Sequence, residues 1–180
     1  ILHELTERQC NVTVVPYNYD AESILRFKPD GVLFSNGPGN PNDYPEVVRT
    51  VRDLLGNIPI FGIGLGHQLL ALATGASIER LRVGHYGKNY TVKEMATNRT
   101  WSTTQSRAFY VTEKSLDSER INITYRSGND HTIEGISHKQ YPAFSVQFNP
   151  EGAPGSKETN FLFDQFLDLI KATKKGDGDQ

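Results

Sequence analysis

Over the first 75 residues the apolar positions alternate between a period of two and a period near four. "NVTVVPYN" (11–18) is β-branched and predicts a strand, and "DAESILRF" (20–27) predicts a short helix opened by Asp20 as N-cap. "DGVLFS" (30–35) predicts the next strand, which ends in "NGPGNPND", a loop with two glycines and two prolines. In "YPEVVRTVRDLLGN" (44–57), Val47, Val48, Val51, Leu54 and Leu55 share one helical face, with Pro45 in the first turn and Gly56 as the stop. The strand "IPIFGI" (58–63) and the helix "GHQLLALATG" (66–75) follow. "ILHELTERQC" already carries helical spacing at Ile1, Leu2 and Leu5, so the chain is expected to begin inside a helix, with a first strand missing upstream.

Such alternation predicts an α/β fold, a central and mostly parallel sheet flanked by helices, with ligands beyond the carboxyl ends of the strands. From 76 to 150 the pattern becomes β-rich: "INITYR" and "TIEGISH" are separated by the turn "SGND", and "AFSVQF" alternates up to "NPEGAPG". This stretch predicts an additional small β-rich segment. The last helix, "KETNFLFDQFLDLIKAT", is expected to bury Phe161, Leu162, Phe166, Leu169 and Ile170, and "KKGDGDQ" to be a polar, frayed end. The expected organisation is one domain over 1–174 and a polar tail over 175–180.

Composition removes several classes of function. A chain of 180 residues with 19 Lys+Arg against 21 Asp+Glu, net charge −2, has no electrostatic case for nucleic acid. No apolar run is long enough to suggest a membrane span, and no signal peptide is seen. One cysteine, Cys10, forbids an internal disulfide and a thiolate zinc cluster, and suits a cytoplasmic setting. N-x-[ST] triplets at Asn11, Asn89, Asn98 and Asn122 are read as chance. His131 and His138 have no carboxylate cluster at metal-ligand spacing, so neither a metal nor a cofactor is expected.

The chemical question lies in "IFGIGLGHQLL" (60–70), a strand turning sharply into a helix. A dinucleotide fingerprint fails on spacing, because the sixth position counted from Gly62 is His67 and from Gly64 is Leu69. Two readings stay open: glycines that merely permit a tight turn, or a nucleophile elbow whose middle residue, Gly64, carries no nucleophile.

Four blocks, "SNGPGNP", "GIGLGHQLLALATGA", "QSRAFYV" and "QFNPEGAPG" followed by "FLFDQF", resemble in order and spacing the class I (triad) glutamine amidotransferase domain. Within that family the likeness is to the domain of the carbamoyl-phosphate synthase small chain, and it covers nearly all of 1–174. The resemblance implies a flavodoxin-like fold and, in active members, an elbow cysteine that attacks the side-chain amide of glutamine. A histidine then moves the protons and a glutamate orients it. The elbow position is Gly64 here, the histidine position is Asn149, whose amide is no base, and the glutamate is Glu151. The implied oxyanion hole is the backbone N–H of Leu65 with the Gly37 to Gly39 loop. Gln68 and Phe109 match the family's substrate-side residues, whereas Ser106, Arg107 and Ala108 depart from them. Ala108 stands where a glycine with positive φ is expected, and Arg107 is read as filling the pocket, as attracting an anion or, preferred, as a solvated loop residue. Cys10 is read as a small core residue and His67 as structural.

With nucleophile, base and three substrate-strand positions all changed, the sequence points to a natural pseudo-glutaminase more than to an engineered variant. The resemblance implies a partner, the ammonia-using carbamoyl-phosphate synthase large chain. The alternatives are a stand-alone binding protein that uses the old site for glutamine or another small anion, and an active glutaminase seen as an inactive variant.

Overall fold

The computed structural model describes residues 1–152 and 157–178. The helices are α1 (Leu2–Glu7), α2 (Ala21–Leu25), α3 (Pro45–Leu54), α4 (Leu65–Ala73) and α5 (Phe161–Asp177). The strands are β1 (Val32–Phe34), β2 (Ile60–Ile63), β3 (Ile78–Glu94), β4 (Thr100–Val111), β5 (Ile121–Ser127), β6 (Ile133–His138) and β7 (Ala143–Val146). Local signals behave as their chemistry requires. Asp20 caps α2 by accepting from the Ser23 N–H at 2.8 Å, Pro45 opens α3, and Gly56 takes φ +85° just past its end.

The strands form one sheet in the order β1-β2-β7-β6-β5-β3-β4. β1, β2 and β7 are parallel, with Phe34 opposite Gly62 and Ile63 opposite Val146. The β7-β6, β6-β5, β5-β3 and β3-β4 pairings are antiparallel. The α/β architecture with helices on both faces is as expected, but the sheet is mixed rather than mostly parallel. The β-rich residues after 76 extend this same sheet, because short connections can join antiparallel neighbours whereas parallel ones need a crossover.

Apolar clusters cover the two faces. One joins Ile24, Val47, Val51, Leu54 and Leu70 with Ile60 and Ile133. The other joins Leu5, Phe61, Phe144, Phe148, Leu162, Phe163 and Phe166, with the Phe61 and Phe144 rings stacked 4.5 Å apart. Strand β7 serves both through its period of two: Ala143 belongs to the first cluster, Phe144 and Val146 to the second. α1 and α5 therefore lie on one face, and α2, α3 and α4 on the other.

Three local expectations change. Residues 11–16 form no strand, and Val14 is 73% exposed; the described sheet ends at β1, and a β-prone stretch without a ladder partner leaves its backbone groups to water. In α5 the fully buried residues are Leu162 and Phe163 with Phe166 close behind, while Phe161, Leu169 and Ile170 are partly buried. The helix runs on to Asp177, so the first part of the polar end is helical; residues 179–180 lie outside the described residues. Among the described residues no helix is long and apolar enough to cross a membrane.

Replacing Phe61 by Ala should cost about 3–5 kcal/mol in urea unfolding, because a fully buried ring at the centre of a cluster is removed. Val14→Ser should shift stability by less than about 0.5 kcal/mol. A large loss at Val14 would mean that residues 11–16 are packed after all.

Candidate functional site

The parallel strands deliver three loops to one sheet edge. β1 leads into "SNGPGN", β2 into the corner at Gly64, and β7 into Gln147, Asn149 and Glu151. At the corner Gly64 has φ +59° and ψ −111°, a conformation an L-residue adopts only under strain. Its N–H donates to the Val146 carbonyl at 2.9 Å, and its carbonyl accepts from the Gln68 N–H at 3.2 Å as α4 begins. The flanking glycines are steric necessities. A β-carbon on Gly62 would lie 2.6 Å from the Gly66 carbonyl oxygen, and one on Gly66 would collide with the Phe34 carbonyl. The backbone is thus bent as a nucleophile elbow, although Gly64 has no side chain to present.

The other predicted residues lie on the loops after β1 and β7, in the first turn of α4, and on β4. A β-carbon on Gly64 would sit 2.9 Å from Asn36 Cβ and 3.9 Å from the Gln147 carbonyl oxygen, so the first and third loops face the elbow directly. Gly37 lies against the Leu65 side chain, and Gly39 takes φ +100° in the same loop. Leu65 is the first residue of α4, where backbone N–H groups have no intrahelical acceptor. Asn149 is held by its backbone, its N–H donating to the Thr104 carbonyl of β4 at 3.0 Å. Glu151 is partly buried and pairs with the amino group of Ile1. The expected motif residues Ala153, Pro154 and Gly155 lie outside the described residues.

The strand expected to face substrate is β4, and there the reading from sequence changes most. Arg107 is neither solvated nor on a loop: its side chain is 1% exposed and its guanidinium meets Glu134 Oε1 at 2.7 Å, with Glu134 fully buried. It also donates to Thr132 Oγ1 at 3.0 Å and to Gln105 Oε1 and the Phe109 carbonyl at 3.3 Å each. Ser106 is exposed, paired in register with Tyr86. Ala108 lies opposite a register shift between Arg80 and His85 and has no positive φ, so the expected backbone penalty is absent; the bulged partner strand makes the room instead. Gln68 is 3% exposed and spends its amide on its neighbours, Nε2 reaching Gln147 Oε1 at 2.9 Å and the Phe109 carbonyl at 3.2 Å.

Sequence reasoning did not single out Gln105, Glu134, Ser145 or Gln147. A signal was present for the last two: in "AFSVQF" they are polar residues at alternate positions of a strand buried on both faces. They project toward α4, where Ser145 Oγ meets His67 Nδ1 at 2.7 Å.

The histidines and the cysteine that the sequence offered for other roles are held in structural contacts. Burial, helped by the nearby Arg107 cation, pushes the His67 imidazole down to about 3, so it stays neutral in the fold. His138 Nδ1 accepts from the Gln140 and Tyr141 N–H groups at 3.1 and 3.0 Å. Cys10 packs against the cluster around Phe61 and Phe163, and burial raises its thiol above the ordinary value. Complete burial likewise holds the Glu134 carboxyl above its ordinary value, and Arg107 opposes this only in part. Among the described residues no group of three or more His, Cys, Asp or Glu is placed to hold a metal ion.

Comparison with known proteins agrees with this geometry. The family model for glutamine amidotransferase class-I matches residues 1–169. The chain is 53% identical over 178 residues to a carbamoyl phosphate synthase small chain of Oceanobacillus iheyensis, covering 99% of this chain and 49% of that one. It is 48% identical over 175 residues to the pyrimidine-specific small chain of Bacillus subtilis, covering 97% and 48%. The chain therefore spans about half the length of the curated relatives it matches. A solved structure described as a GMP synthase subunit from Thermoplasma acidophilum superposes with TM-score 0.84 at 22% identity, over 98% of this chain and 89% of that one, a likeness of fold.

Gly66→Ala should cost about 1–3 kcal/mol or more, since backbone rather than a flexible side chain blocks the new methyl; an unchanged urea midpoint would refute the close approach. The pH dependence has a definite sign. Glu134 binds its proton more tightly in the fold than in the unfolded chain, so stability falls as pH rises above its ordinary 4.5. His67 acts oppositely, its contribution present above 6.5 and lost as pH falls toward 3. Glu134→Gln removes the first effect and adds only a pH-independent offset. Its stability relative to the native chain should therefore be greater at pH 8 than at pH 5. A constant difference between the two would show that Glu134 titrates normally.

Proposed function

We propose, from the premise that the chain belongs to the class-I glutamine amidotransferase family, that it is the amidotransferase domain of a carbamoyl phosphate synthase small chain that has lost glutamine hydrolysis. The observation that carries this reading is the corner itself, an elbow kept at φ +59° and ψ −111° with glycine where the sulfur would stand. Asn149 supports it, because an amide has no lone pair basic enough to accept a proton near neutral pH. Loss of either nucleophile or base from a triad forfeits on the order of a million-fold in turnover, and the two losses overlap. The Leu65 N–H and the Gly37 to Gly39 loop would stabilise an oxyanion that nothing here generates.

The domain is retained in this reading as a cytoplasmic partner and regulatory scaffold for an ATP-dependent large chain that uses free ammonia. Its relatives' names support the association, since they are small chains of a synthase. The buried side-chain network around Arg107 and Gln68 gives a reason for the fold to persist without its chemistry, because it supplies internally the contacts a substrate would make.

The test is nitrogen-donor use by the native protein with its large chain. Carbamoyl phosphate should form from ammonia and not from glutamine, and the isolated chain should release no glutamate. Gly64→Cys alone should remain inactive, because Asn149 cannot activate the thiol; Gly64→Cys with Asn149→His should give a glutamyl thioester detectable by mass spectrometry. Glutamine turnover by the native chain that disappears in Glu151→Ala would refute the reading.

A further inference from the structure

The buried polar groups around the elbow close into a ring. Arg107 Nη2 donates to Glu134 Oε1 at 2.7 Å, and the Glu134 carbonyl accepts from the Gln147 N–H at 2.8 Å. Gln147 Oε1 accepts from Gln68 Nε2 at 2.9 Å, and the same Nε2 donates to the Phe109 carbonyl at 3.2 Å. Arg107 Nη1 reaches that carbonyl at 3.3 Å and completes the circuit. Arg107, Glu134, Gln68 and Gln147 are each no more than 4% exposed. The ring crosses four pieces of structure distant in sequence: β4, β6, the segment after β7, and the first turn of α4.

We infer that Arg107 is a positioning residue that acts as a tethered substitute for a bound ligand, closing this ring so that β4 and the elbow are held in register with nothing bound. The inference rests on the reading of the site as non-catalytic, and it identifies what replaced the substrate. Three features point to Arg107. Its guanidinium is the only cation in the ring, so it alone offsets the buried Glu134 carboxylate. Its planar fork reaches Glu134 and the Phe109 carbonyl at once, which a lysine ammonium cannot do. The Phe109 carbonyl, with two lone pairs, accepts from both Gln68 and Arg107, so its acceptor capacity is filled from within. A second layer backs the cation: His85 Nδ1 lies 3.3 Å from Arg107 Nη2, and His85 Nε2 pairs with Asp130 at 3.2 Å.

Hydrogen exchange followed by mass spectrometry on the native chain, with and without saturating glutamine, tests this. Residues 64–68 and 105–111 should be protected equally in both conditions. Arg107→Lys keeps the charge beside Glu134 but loses the donor to Phe109, so exchange should rise roughly tenfold in 105–111 and also across the ring in 64–68. Residues of α5 should not change. Arg107→Ala should lose protection in both segments and regain it when guanidinium is added; should that variant fail to fold, Arg107→Lys decides. Added protection by glutamine in the native chain, Arg107→Lys exchange equal to native, or a rise confined to β4 would each overturn the inference. Glutamine turnover by the native chain would refute the proposed function while leaving these exchange patterns as measured, whereas an exchange failure without turnover would sink the ring alone.

Discussion

The site depends on one close approach, that of the Gly66 α-carbon to the Phe34 carbonyl oxygen. Because no β-carbon intervenes, the first turn of α4 lies directly over the end of β1, and the corner at Gly64 can be made within a single residue. Gly62 repeats the constraint from the strand side, where only hydrogen fits beneath the Gly66 carbonyl. With the helix seated this way, the ends of β1, β2 and β7 converge, and the loop at Asn36, the elbow, and the run from Gln147 to Glu151 meet at one edge. Larger residues at 62 or 66 would lift α4 and separate those loops.

Gly64 changes the energetics of that corner. An L-residue held at φ +59° and ψ −111° stores strain of about 1–3 kcal/mol, which active sites of this shape tolerate in order to expose a reactive side chain. Glycine occupies the same angles without that strain. Glycine at this corner therefore favours the fold relative to any L-residue held at the same angles. On the neighbouring strand, Arg107 forms a buried ion pair with Glu134. An ion pair so deeply buried contributes little net stability, but removing either partner leaves an uncompensated charge, so each residue fixes the other in place.

Much of the architecture was legible along the chain because its determinants are local. The cap at Asp20, Pro45 at the start of α3, the stop at Gly56 and the spaced glycines of the elbow act within a few residues, and each lies where its chemistry predicts. The alternation that defines β7 likewise needs no knowledge of its neighbours. The strand expected over residues 11–18 failed for the complementary reason. A strand exists only as one side of a ladder, and β-branched residues cannot supply the other side.

The sequence by itself determined the sharp strand-to-helix corner with glycine at position 64, the amide at position 149, and the family to which these blocks point, since each depends on residue identity at short spacing. Tertiary structure alone decided that the sheet is mixed, that Ala108 escapes strain, and that Arg107 is buried against Glu134. Those outcomes depend on which strands the fold sets side by side, on a contact between residues 27 positions apart in the case of Arg107 and Glu134, and on a bulge in a partner strand. Burial and charge pairing are set by what the fold brings together across such distances, and no local pattern encodes them.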